Sequence, residues 1–237
     1  MPPISENLAQ VTHRIESAAR RAGRDPGSVR LVAVSKTRSV VEIEAALAAG
    51  ITDFGENRAQ EFREKAKTIG SRVSWHFIGH LQSNKAKYVV PAGALIHSLD
   101  RWSLAAELER LGEAYCRLVD ALVQVNISGE ESKAGLAPEE VAGFLRQVSG
   151  LRWVRVRGLM TMAPLAERAD AVRPVFRGLR LLAEELRALA IGNLELPELS
   201  MGMSNDFEIA VEEGATMVRI GTALFGRSQE TGGMGNG

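Results

Sequence analysis

Cysteine occurs once in the 237 residues, at Cys116, so the chain can form no intrachain disulfide and no cysteine-based zinc cluster. Cys116 lies in the helical-looking AYCRLV and reads as a buried packing thiol in preference to a nucleophile. Histidine is almost as scarce, and His13, His76, His80 and His97 show no metal-ligand spacing such as HExxH. Net charge is missing altogether, with 29 basic residues against 29 acidic ones. Without a global field, neither nucleic acid nor an anionic membrane is an expected partner, and any anion site must be local. No apolar run approaches the ~18 residues of a membrane span. The amino-terminal MPPISENLAQ lacks the basic start and apolar centre of a signal peptide. The expectation is a soluble, cytoplasmic protein.

What is present is alternation. Ile4, Leu8, Val11, Ile15 and Ala18/Ala19 repeat at helical spacing until Gly23 and Pro26 stop the pattern. After this leading helix, short apolar runs recur at 31–35, 51–55, 75–79, 95–99, 121–127, 153–160, 196–201 and 217–221. Amphipathic stretches separate them at 39–49, 57–67, 83–90, 102–115, 138–149, 168–190 and 205–213. Strands alternating with helices require a parallel sheet, because each parallel neighbour needs a crossover. Eight such units, in a chain near the roughly 250 residues of a (β/α)8 barrel, predict an α/β fold: a single TIM barrel with an additional N-terminal helix. Pro197 and two glutamates interrupt the seventh run. Residues 1–227 read as one domain, and the glycine-rich, aperiodic 228–237 as a disordered tail.

In such a barrel the site is built at the carboxyl ends of the strands, and polar residues of this chain collect there. Lys36 follows the first run in LVAVSKT. Partly desolvated at a strand end, its amine can lose a proton and attack a carbonyl to form a Schiff base; taken alone, it reads sooner as a solvated lysine opening the next helix. Glu56-Asn57-Arg58 and His80-Leu81-Gln82 follow the second and third runs. SMGMSNDFE brings Gly202, then Ser204 and Asn205 as helix caps with Glu208 at capping-box spacing, and IGTALFG repeats the pattern with Gly221 and Thr222 opening a one-turn helix. Barrels often hold phosphate between the loops after strands seven and eight, so these two exits predict a phosphate clasp, although each glycine alone could serve only a turn. Arg219 lies inside an apolar strand with Val218 and Ile220 facing the other way, and must find a partner, either an ion pair or a ligand acceptor. His76 and His97 read as core or rim residues, and His80 as an exit residue able to contact a ligand. Met160, Met162, Met201 and Met203 could wall a flat ring or simply pack the barrel top.

The stretches LVAVSKT, DFGENRAQE, WHFIGHLQSNKAK, VNISGEESKAG, RGLMTM and LSMGMSNDFEIAVEEGATMVRIGTALFG closely resemble the pyridoxal phosphate homeostasis proteins, the YggS or PROSC family, over residues 5–227. The resemblance implies a barrel like the N-terminal domain of bacterial alanine racemase, with pyridoxal 5'-phosphate at the strand ends. It implies Lys36 as the internal aldimine, Ser204, Gly221 and Thr222 on the phosphate, and Arg219 facing the pyridine nitrogen. Asn57 and Met203 would line the ring or its loop, with His80 a neighbour. It further implies a cofactor carrier that buffers and delivers pyridoxal phosphate, with PLP-accepting apoenzymes as partners, a monomeric state and no dedicated turnover. The alternatives are an amino-acid racemase, a lysine aldolase acting on a sugar phosphate, and an adaptor that ignores Lys36.

Overall fold

The computed structural model describes residues 3–130, 133–164, 169–192 and 194–226; the expected tail at 228–237 and the expected domain limit at 227 lie outside them. Eight parallel strands close in sequence order into a barrel. They are β1 (Arg30–Val34), β2 (Asp53–Glu56), β3 (Ser74–Phe77), β4 (Leu95–Leu99), β5 (Val119–Gln124), β6 (Val154–Met160), β7 (Glu198–Met203) and β8 (Met217–Ile220). Around them lie α1 (Ile4–Arg21), α2 (Val40–Ala48), α3 (Ala59–Ile69), α4 (Trp102–Ala114), α5 (Pro138–Val148), α6 (Arg173–Ala188), α7 (Phe207–Glu212) and α8 (Thr222–Phe225). The predicted barrel with its extra leading helix is the observed fold. Among the described residues no helix is long and apolar enough to cross a membrane.

The local causes are legible. Ser39 and Glu42 form a reciprocal capping box that starts α2 five residues after β1. The apolar stripe of α1 buries Val11, Ile15, Ala18 and Ala19, at about 1.5–3 kcal/mol for each large aliphatic side chain. Its polar face meets α7 through Arg14–Glu208 at 2.8 Å and Arg21–Glu212 at 2.7 Å. Between the barrel wall and the helices, Phe62 of α3 stacks edge-on against Trp75 and Phe77 of β3, with centroids 5.5 and 6.1 Å apart.

Three expectations are corrected. The helix expected at 83–90 is two 3-10 segments, Ser83–Tyr88 and Val90–Ala92, because Pro91 disfavours α geometry in the residue before it and cuts the stretch short. The seventh strand runs from 198 to 203, not 196 to 201: Pro197 cannot donate to the ladder and stays outside it, and Gly202 and Met203, expected in the exit, belong to the strand. Gly202 holds φ +91°, and a Cβ there would lie 2.5 Å from Ala210 Cβ and 2.9 Å from Phe207 Cα; only glycine lets α7 close onto β7. Finally, α4 ends at Ala114, and Cys116 sits exposed in the turn beyond it with φ +47°.

Candidate functional site

At the exits of β7 and β8 one hydroxyl gathers two backbone donors. Ser204 Oγ accepts from the N–H groups of Gly221 and Ala223, both at 3.3 Å. The expected capping role of Ser204 and Asn205 is therefore not what the structure shows. Asn205 is exposed, and α7 follows Asp206, whose carboxylate accepts from the Met203 N–H at 2.6 Å. Burial pushes the Asp206 carboxyl up, against the pull of that hydrogen bond and of Arg219. Glu208, expected at capping-box spacing, pairs instead with Arg14. The predicted one-turn helix is α8, and Thr222 at its start is exposed.

The exit of β8 lies against that of β1. Ala33 pairs with Ile220, and a Cβ on Gly221 would reach Val34 Cβ at 3.4 Å, an ordinary contact. Lys36 follows two residues later and is exposed, so its amine is held in the open at the strand end rather than desolvated. Its backbone is clamped on both sides. Lys65 of α3 donates to the Ser35 carbonyl at 2.6 Å, and Glu61 accepts from the Thr37 N–H at 2.6 Å, with Thr37 at φ +63°. Lys65 also donates to Glu56 and Glu61, both at 2.7 Å, and Ser35 Oγ donates to Glu56 at 2.6 Å. Glu56 is wholly buried, and its Oε2 has no partner among the described residues. Burial pushes its carboxyl up while Lys65 and Ser35 pull it down. Sequence reading missed this underlay, since Glu61 and Lys65 at i,i+4 look like a solvated helix pair.

Arg219 behaves as its strand position predicts: Val218 and Ile220 join the outer core, while the guanidinium turns into the barrel. It donates to Ser200 Oγ at 2.5 Å and to the Thr161 carbonyl at 2.9 Å, and is only 4% exposed. Burial, countered by Asp206, pushes its pKa down to about 10, so it stays cationic at neutral pH. Asn57 and His80 share a cavity of about 490 Å³ between the β2 and β3 exits, lined also by Arg58, Glu61 and Lys85. His80 is exposed, with Nδ1 3.6 Å from Asp100. Met203 is 39% exposed at the β7 end, whereas Met201 is buried in the outer core and is no part of a ring wall. The structure thus joins Ser204 with Gly221 and the start of α8, sets both beside the strand that leads into Lys36, and groups Asn57 with His80 around Glu61, the residue that ties down Thr37.

Residues 7–229 match the family described as alanine racemase, N-terminal domain. The chain is 46% identical over 222 residues to the pyridoxal phosphate homeostasis protein of Aquifex aeolicus, covering 93% of this chain and 96% of that one. It is 46% identical over 228 residues to the protein of the same name from Pseudomonas aeruginosa, covering 95% and 96%. The solved structure of PipY from Synechococcus elongatus with PLP bound is 40% identical, superposes with a TM-score of 0.82, and is covered in full by 94% of this chain. The chain belongs to the alanine racemase N-terminal domain family and, within it, to the pyridoxal phosphate homeostasis proteins.

Proposed function

We propose that this chain binds pyridoxal 5'-phosphate at the carboxyl ends of its strands, and buffers and delivers it to apoenzymes in vitamin B6 homeostasis without a turnover reaction of its own. The observation that carries the reading is the convergence of Ser204 Oγ with the Gly221 and Ala223 N–H groups, beside the strand that leads into Lys36. The donor set fits the ligand. A phosphate dianion is held by clustered backbone N–H groups and hydroxyls at a helix start, which Ser204, Gly221, Thr222 and Ala223 supply. Lys36 supplies the amine that captures the aldehyde with release of one water. Bound there, the cofactor would contribute an electron-withdrawing ring. Arg219, which carries only donors, would lie by the ring nitrogen and disfavour its protonation, leaving the ring a weaker electron sink than where a carboxylate occupies that place. Asn57, Met203 and His80 would border the ring and its loops.

In this reading neither tyrosine is assigned as a second acid/base for racemisation. Tyr88 lies among Arg63, Lys85 and Lys87, each 5.2–5.7 Å from its ring, and Tyr115 is half exposed beyond α4. The binding test is an absorbance spectrum before and after borohydride, with mass mapping of the adduct. Pyridoxyl on Lys36, lost in Lys36→Ala with the fold retained, is the expected result; a colourless protein that cannot be reconstituted, or an undiminished adduct in the variant, overturns the reading. Racemisation of amino acids by the loaded protein would overturn its non-catalytic part.

A further inference from the structure

A file of buried polar side chains crosses the barrel interior and is unused in the reading above. Asp53 of β2 meets His76 Nε2 at 3.0 Å, His76 Nδ1 meets His97 Nε2 at 2.9 Å, and His97 Nδ1 meets Ser200 Oγ at 2.9 Å. Ser200 in turn accepts from Arg219. Strands β4 and β7 are not neighbours, so the His97–Ser200 bond spans the lumen. His76, His97, Ser200 and Arg219 are all at least 96% buried. Asp53 ends the file at the opposite mouth, where it lines a cavity of about 420 Å³ together with Arg30 and Thr52.

Elementary hydrogen-bond accounting gives this file one direction while both histidine rings are neutral. An ionised carboxylate only accepts and a guanidinium only donates. Burial works to raise the Asp53 carboxyl, but His76, Thr52 and Arg30 outweigh it and hold the group below the ordinary carboxylate range. His76 must therefore donate from Nε2, and where its ring is neutral it accepts at Nδ1. That requires His97 to donate from Nε2 and accept at Nδ1, which requires the Ser200 hydroxyl to donate to His97 and leaves its oxygen facing Arg219. Burial, with the Arg219 and Arg30 charges, keeps His97 far below the usual histidine pKa, hence neutral. Every proton then points one way, from Arg219 to Asp53. A proton added to His76 reverses the two histidine bonds. His97 would donate to Ser200, whose oxygen would face two donors while its own proton left the file. The charged groups around the file are Arg30, 3.9 Å from Asp53 and 3.6 Å from Glu198, and Arg219 with Asp206 at the other end.

We propose that His76 and His97 are positioning residues that hold Ser200 as the acceptor for Arg219, and that they transmit protonation at the Asp53 mouth to the ring-nitrogen end of the cofactor site. The proposal rests on the pyridoxal phosphate reading only for what Arg219 faces. Its first test needs no cofactor. Long-range 1H–15N NMR of the wild-type protein near neutral pH should show both histidines neutral, protonated at Nε2 and bare at Nδ1; a proton on His97 Nδ1, or a cationic His97, overturns the file. In the loaded protein, His97→Phe should weaken retention of pyridoxal phosphate roughly tenfold, the scale of one hydrogen bond to a charged group, and flatten the pH dependence of the chromophore. His97→Asn and Asp53→Asn provide the same comparison should the phenylalanine variant fail to fold. Unchanged retention and an unchanged pH profile in a folded variant refute the transmission. A wild-type protein that takes no adduct on Lys36 defeats the cofactor reading instead, and the tautomer measurement still decides the file.

Discussion

Lys65→Met should be among the most damaging single changes outside the apolar core, and pH should govern how damaging. Lys65 is 6% exposed and its ammonium satisfies the Ser35 carbonyl, Glu56 and Glu61 at 2.6–2.7 Å. Methionine keeps most of the stem's packing but leaves the Glu56 carboxyl buried, with one oxygen bonded only by Ser35 and the other by nothing among the described residues. Removing one partner of a buried pair costs about 3–5 kcal/mol, or a fall in melting temperature of roughly 6–20 °C at 2–4 °C per kcal/mol for a chain of this size. The pH sign follows from Glu56, whose pKa burial already raises. A raised carboxyl contributes stability below its unfolded pKa and loses that contribution as pH rises through the folded one. Without Lys65 the folded pKa rises further, so the deficit against wild type should be large at pH 8 and shrink toward pH 5 as Glu56 takes up a proton. Urea unfolding at both pH values measures this, and Glu56→Gln in the Lys65→Met background should recover part of the loss. A deficit below about 1 kcal/mol, or one equal at both pH values, would refute the assignment of Lys65 and Glu56 as a coupled buried pair. The same variant unties the carbonyl before Lys36, so cofactor capture should slow as well.

Ser204→Ala removes the hydroxyl shared by Gly221 and Ala223; fluorescence titration should show pyridoxal phosphate bound about tenfold more weakly, with the melting temperature little changed. Gly202→Ala forces a side chain into left-handed φ and against α7, so calorimetry should show a loss of at least about 1–3 kcal/mol, while a neutral result would mean that α7 can shift. Glu213 is buried beside Arg173 and Arg177, both at 3.0 Å; burial would raise its carboxyl, but the two arginines hold it below the ordinary range. Its contribution is therefore present above the usual carboxylate pKa and lost as pH falls through the folded value. In acid titrations followed by circular dichroism, Glu213→Gln should be less stable than wild type at pH 7, with the gap closing as pH falls.

The sequence by itself determined the architecture, because alternation of short apolar runs with helical stripes leaves a parallel closed sheet as the consistent solution. It also set Lys36, Asn57, His80, Ser204, Gly221 and Thr222 after strands, at the barrel end where the proposed site lies, and dictated the inward turn of Arg219 through period-two alternation. Tertiary structure alone decided what those residues touch. Ser204 read locally as a helix cap but accepts from N–H groups 17 and 19 residues away, and no local pattern encodes such a pairing. Cys116 looked buried because its neighbours have helical spacing, yet α4 stops two residues earlier. Glu61 and Lys65 carry surface spacing, and only the approach of α3 to the ends of β1 and β2 buries Lys65 under Lys36. His76 and His97 were legible as strand histidines, but their bond to each other, and through Ser200 to Arg219, exists only because barrel closure brings β4 and β7 face to face across the lumen. Periodicity records which face of an element is apolar; it holds no record of which distant element meets the polar residues on the other face.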